Sequence, residues 1–191
     1  SLPLRISFAS LIRIKIDDKY VLIKSRRFND LWQPVGGVYK FFDPNIRHTF
    51  GLQDDNGLFK KSDPNELRLS FPPNKINRVF DFMKWFDSRL GREISPDREF
   101  REELLDQGIL DKEVFKEVHF QFIERHFHLG LSDKFKLWEL MAFEIFELRL
   151  SDSQKNQIKD RLLTNNKDVI LLTKNEIDHN GFTREGDDYR I

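Results

Sequence analysis

No cysteine occurs among the 191 residues, and that one gap removes disulfides, thiolate zinc sites and a thiol nucleophile together. It suits a reducing compartment. A net charge is missing as well, because 32 Lys and Arg balance 32 Asp and Glu. That balance argues against a general binder of nucleic-acid duplexes or anionic membranes, although a local basic patch is compatible with it. No apolar run approaches the roughly 18 residues of a bilayer span, and no signal peptide is visible. A third of the residues are charged (34%), against 39% apolar, which reads as a soluble globular chain large enough to bury a core unaided.

What is present has the patterning of a mixed α and β fold. In "LRISFASLIRIKIDDKYVLIKSRRF", Leu4, Ile6 and Phe8 alternate, then Ile12, Ile14 and Ile16, which predicts strands around a turn at Asp17-Asp18. "LWQPVGGVYKFF" is a short apolar segment broken by Pro34 and the pair Gly36-Gly37. Residues 43 to 74 are rich in Asp, Asn, Gly and Pro and read as loop, with a short strand at 66 to 71. Ile76, Val79, Phe80, Met83 and Phe86 recur at helical spacing and predict a helix over 75–88. A second helix is predicted from Ser95 as N-cap and Pro96 as first residue to Gly108 as terminator. Two long strands follow, "KEVHFQFIERHFHLGL" and "FKLWELMAFEIFELRL", the second apolar on both faces and so central in a sheet. "SDSQKNQIKDRLL" predicts a late helix and "DVILLT" a buried strand. With no repeat, low-complexity tract or linker, residues 1–191 read as one domain of the α/β (α+β) class, with an insertion at about 43–90.

The stretch "REFREELLDQGI" is the chemically suggestive one. Glu99, Glu102 and Glu103 stand at i, i+3 and i+4 and would share one helical face, with Arg98 placed to pair with Glu102. Massed carboxylates suit a hard cation such as Mg²⁺ or Mn²⁺, which takes oxygen ligands and leaves positions for phosphate oxygens. A solvated helix face is the other reading of the same pattern, and the pattern alone leaves both open.

With "LWQPVGGVYK" ahead of that helix, the chain resembles the Nudix hydrolase superfamily. The resemblance implies an α/β/α sandwich around a mixed sheet, with Gly37 as the glycine whose carbonyl assists the metal. It makes Arg98 the orienting arginine, and Glu99, Glu102 and Glu103 the metal-binding and catalytic carboxylates. Trp32, Pro34 and Gly36 match the family's lead-in. The chain also departs from the pattern. Residues 38–97 separate Gly37 from Arg98 where the family has a short run, and Asp43 stands where a glutamate is expected. Leu104 to Gln107 intervene before Gly108, which predicts a longer helix.

The long insertion, with "QPVGGVYKFF", "NELRLSF" and "FMKWFDSRLGREISPDREFREEL", is similar to the SMODS-associated Nudix subfamily. That resemblance implies a domain of bacterial antiphage systems (CBASS) in which a nucleotidyltransferase makes cyclic oligonucleotide signals. The expected function is a nucleotide-sensing module, and the alternative is an Mg²⁺-dependent hydrolase of nucleoside diphosphates linked to another moiety. The expected partner is a nucleotide ligand rather than a nucleic-acid duplex, with room for a homo-oligomer. The subfamily is often joined to N-terminal transmembrane helices, and the start "SLPLRISF", without Met, fits removal of such an anchor. The expected location is the bacterial cytoplasm, or the cytosolic side of an inner-membrane protein.

Other residues enter as ligand contacts. Trp32 and Tyr39, with Phe41, flank the glycine pair and are candidates to stack on a base. Gly36 and Gly37 are candidate ligand contacts in the same loop, and the cations of "KSRRF", Arg26 and Arg27 among them, are placed beside it to meet a ligand phosphate, with ordinary surface cations after a strand as the equal alternative. His126 and His128 share one side of a strand, with His119 seven residues earlier, and read as surface histidines before a zinc site. Glu139, Glu144 and Glu147 interrupt an apolar strand. They are expected at its rim, the alternative being buried carboxylates.

Overall fold

The computed structural model describes residues 2–26, 30–55, 63–133, 135–164, 167–179 and 181. They carry five α-helices and two sheets, a mixed α and β fold. The chain divides into two compact units, residues 1–10, 37–95 and 124–144 in the first and 11–36, 96–123 and 145–191 in the second.

A six-stranded sheet contains β1 (Leu4–Arg13), β5 (Val35–Val38), β6 (Gln53–Asp54), β7 (Arg68–Phe71), β8 (His119–Leu131) and β9 (Trp138–Arg149). Its order is β6-β7-β1-β9-β8, with β5 also paired to β1. Strand β9 lies between two neighbours, as its two apolar faces require. Leu4 faces Phe71 and Ile6 faces Leu69 in the antiparallel β1–β7 ladder.

The first unit has an aromatic core. A 3₁₀ turn at Pro73–Arg78 leads into α2 (Val79–Ser88), while α1 (Ile46–Phe50) lies earlier in the insertion. Phe82 and Phe86 of α2 are fully buried, with ring centroids 5.4 and 4.8 Å from Phe8. Phe50 and Phe71 meet Phe82 at 5.6 and 5.8 Å. Rings at these separations add edge-to-face attraction to the area they bury. The expected helix is present, but its apolar stripe is turned. Residues 79, 82, 83 and 86 face the core, whereas Phe80 points outward at 73% exposure. Its position one residue beyond Val79 rotates it about 100° off that face.

Buried charges brace the same unit. Arg5 pairs with Glu139 and lies 3.5 Å from Asp55, all three inside. Glu144 accepts from Arg125 at 2.9 and 3.2 Å and lies 3.7 Å from Arg92. Glu139 and Glu144 are therefore buried and ion-paired rather than at the rim. Each lies on β9, whose neighbours on both sides exclude water, and each has an arginine carried there with it. Glu147 alone keeps the rim position, 3.0 Å from Arg149.

The second unit is layered around a four-stranded sheet. Strand β3 (Lys19–Lys24) lies between β2 (Lys15–Ile16) and β10 (Val169–Thr173), and β4 (Trp32–Gln33) also pairs with it. Val169 faces Ile23, Ile170 faces Leu22 and Leu171 faces Val21, so successive pairs point to opposite sides. Val21, Ile23 and Val169 pack with Phe100, Leu104 and Ile158, the last from α4 (Asp152–Thr164). Leu22, Ile170 and Leu172 pack on the other side with Trp32 and with Ile177 of α5 (Lys174–Asp178).

Candidate functional site

The helix bearing "REFREE" is held in the second unit by its own apolar residues. It starts as α3 (Asp97–Phe100), one residue later than predicted because Pro96 serves as N-cap. Phe100 is fully buried and stacks near Phe115 and Phe120, both at 5.8 Å. A π-helical turn then covers Arg101–Leu105, closed by the Asp106 amide donating to the Arg101 carbonyl at 2.8 Å. The additional residues before Gly108 are thus absorbed by a widened turn, not by a longer α-helix. The widening lets the adjacent Leu104 and Leu105 both bury. Such turns are frequent at functional sites. Gly108 follows with φ +68°, a conformation that suits glycine.

The polar face of this helix is organised by Arg98 and by the glycine segment. Arg98 reaches Glu99 at 2.8 Å and Glu102 at 3.1 Å. Glu103 turns the other way, and the Gly36 amide donates to its Oε2 at 3.4 Å. Burial pushes the Glu103 carboxyl up to about 7, helped by the negative charges of Glu99 and Glu102. The Gly36 amide and the Arg26 guanidinium oppose that rise. Arg26, exposed, donates to the Glu102 carbonyl at 3.1 Å and so lies across the π turn.

The structure brings together Arg26, Gly36, Arg98, Glu99, Glu102 and Glu103 in one unit. Gly37 and Tyr39 belong to the other. Arg27 lies outside the described residues. The aromatic expectations are corrected. Tyr39 is 1% exposed, and Phe41 and Trp32 are buried as well, so none offers a ring face to a base. Each instead fills an apolar cluster, because a ring beside strands β4 and β5 gains more from core contacts than from solvent. Asp43 has a local duty: its Oδ1 accepts from the Asn45 amide at 2.9 Å at the entry to α1. The three strand histidines are exposed, with His126 Nε2 3.1 Å from Glu124.

Sequence reasoning missed the π turn and the Glu103–Gly36 link. The one available signal was the adjacent pair Leu104-Leu105, which an ideal helical stripe does not require.

A model of the SMODS-associated NUDIX domain matches residues 3–191. The chain belongs to the SMODS-associated NUDIX domain family. No curated protein matches it significantly. Nudix domains generally use a divalent metal, and carboxylate oxygens are the right donors for one. The arrangement, however, does not fit: two of the three carboxylates are tied to Arg98 and the third is turned to Gly36. Among the described residues, no group of three or more His, Cys, Asp or Glu is placed to hold a metal. Nor, among them, is any helix long and apolar enough to cross a membrane.

Proposed function

We propose that this Nudix domain is a nucleotide sensor, binding a cyclic oligonucleotide or related nucleotide signal in bacterial antiphage defence of the CBASS type. The supporting observation is Arg26. Its exposed guanidinium lies across the turn that carries Glu102, close enough to Glu103 to act on its charge, and phosphate oxygens accept from such a donor. Arg98 spans its two glutamates, so the negative charge nearby is partly neutralised before an anion arrives. Agreement with the family over nearly the full length, insertion included, supports a shared ligand class. Mg²⁺ or Mn²⁺ would enter only after Arg98 releases a carboxylate. The cytoplasm is the proposed location, where such a signal is made.

Hydrolysis of a nucleoside diphosphate derivative is the second reading, favoured by one observation. Glu103, pushed up to about 7, has the affinity of a general base that works at neutral pH.

Calorimetry with a panel of cyclic di- and trinucleotides, beside ADP-ribose and dinucleoside polyphosphates, separates the two, with the recovered ligand analysed by chromatography. The sensor reading expects tight binding of a cyclic compound and its recovery uncut. Cleavage of a linear diphosphate with Mg²⁺ and no cyclic ligand bound would overturn it.

A further inference from the structure

We propose that the outer edge of β8, over Gln121–Leu131, pairs antiparallel with the same edge of a second copy of this chain, making one continuous sheet. Among the described residues, strand β8 ends the order β6-β7-β1-β9-β8. An edge strand presents backbone donors and acceptors, and proteins normally guard it with Lys, Pro or inward charges. From Gln121 to Leu131 this edge reads "QFIERHFHLGL", with no Lys or Pro and with Glu124 and Arg125 as its two charges. Phe127, Leu129 and Leu131 stand 49%, 62% and 56% exposed along it.

The two faces of the strand differ. Arg125, Phe127, Leu129 and Leu131 alternate on one side. There Arg125 binds Asp87 of α2 at 2.6 Å and lies over the rings of Phe86 and Phe127, at 5.3 and 5.6 Å. Phe127 comes 6.5 Å from the core ring of Phe8. This side therefore extends the apolar core of the first unit outward and leaves it half covered. Glu124, His126, His128 and Gly130 occupy the other side.

Charge selects a second copy as the occupant. A two-fold axis through His126 sets Glu124 of each copy opposite His128 of the other, and Arg125 opposite Phe127. Acid meets imidazole and cation meets ring, twice each, from one segment paired with itself. On the side of Arg125 and Phe127, Leu129 of each copy then stands opposite Ile123 of the other, both exposed in the single chain.

The absence of cysteine makes the test direct. Light scattering of the full chain at about 100 µM should give twice the chain mass, and Leu129→Lys should weaken that dimer by at least about tenfold. Leu129 is exposed, so circular dichroism of the variant should match the parent. Independently, His126→Cys should form a covalent dimer on mild oxidation, while Ser153→Cys, exposed on α4, should not. A monomer at that concentration, a dimer indifferent to Leu129→Lys, or equal crosslinking at both positions would refute the pairing. A heterologous peptide seated on this edge instead would show as a monomer that binds strands without self-association, which also refutes it.

Discussion

The amide of Gly36 donates to the carboxyl of Glu103 across 67 positions of sequence, tying the glycine strand to the π turn of the Nudix helix. That link sets the electrostatics of the site. Held half-buried beside two other glutamates, Glu103 keeps its proton to about pH 7, whereas Glu102 remains in water. Neighbouring carboxylates on one helix are thus made unlike by which way each side chain turns.

A pH dependence follows. A carboxyl whose folded affinity for protons exceeds its ordinary value contributes fully below the ordinary value of 4.5, and the contribution is lost as pH rises through about 7. In chelator-containing buffer, wild-type stability should fall between those limits by on the order of 2 kcal/mol, discounting for partial exposure. Glu103→Gln should flatten that fall. Urea melts at a series of pH values read the difference, and parallel curves for both proteins would contradict it.

Arg98 carries a different expectation. It holds Glu99 at 2.8 Å and Glu102 at 3.1 Å, so it competes with any cation for the same oxygens. Arg98→Ala should tighten Mg²⁺ binding by about threefold to tenfold, because the carboxylates lose their resident counter-charge. The fold should lose no more than about 1 kcal/mol, the usual worth of a partly exposed pair. Calorimetric Mg²⁺ titration of the variant beside the parent decides the matter. Weaker binding would mean that Arg98 orients the ligands instead.

Much of this was legible in the residues. Period-2 alternation located β1 and β2, the turn at Asp17-Asp18 placed β3 after them, the apolar run "DVILLT" located β10, and apolarity on both faces marked β9 as central, because burial on a sheet follows the pleat. The acidic helix was legible because its residue types and spacing are local. The partners of its side chains were not: whether Glu103 meets a cation, water or the Gly36 amide is set by packing far along the chain. The same holds for Glu144, whose burial depends on Arg92 and Arg125 arriving from other elements. Phe80 misled because a stripe of five apolar residues is wider than the face that α2 presents to the core.

Two phenylalanines of α2 give a clean contrast. Phe82 is fully buried among Phe8, Phe50 and Phe71, and Phe82→Ala should cost about 3–5 kcal/mol through lost burial and the cavity left behind. Phe80→Ala, on the solvent side, should stay within about 0.5 kcal/mol. Thermal and urea melts of the pair check the orientation of the helix, and equal losses would put it in the wrong rotation.

Glu144 tests the buried ion network. It faces Arg92 at 3.7 Å and Arg125 at 2.9 Å, with the Arg92 guanidinium 3.6 Å from the centre of the Phe86 ring. Burial pulls Arg92 below its ordinary affinity for protons, and the Glu144 charge opposes that. Glu144→Ala leaves two cations without their shared acid and should cost about 3–5 kcal/mol. Glu144→Gln, which preserves shape and some hydrogen bonds, should cost less. Were the two variants equal, packing rather than charge would be the larger part.

Arg26 joins the electrostatics to the proposed ligand. Its guanidinium donates to the Glu102 carbonyl and is one of the two influences that hold the Glu103 carboxyl down. Arg26→Ala should therefore raise the Glu103 midpoint further, because burial and the charges of Glu99 and Glu102 then act against the Gly36 amide alone. Carbon-detected NMR titration of the Glu103 carboxyl reads that midpoint without any ligand. If the same guanidinium also meets a ligand phosphate, the variant should lose about 1.5–3 kcal/mol of nucleotide binding, the worth of a charge-assisted hydrogen bond. Arg26→Lys should restore most of the midpoint and only part of the binding, since an ammonium supplies the charge without the planar fork. A midpoint that moves while binding holds would leave Arg26 as a support for the helix and place the phosphate elsewhere.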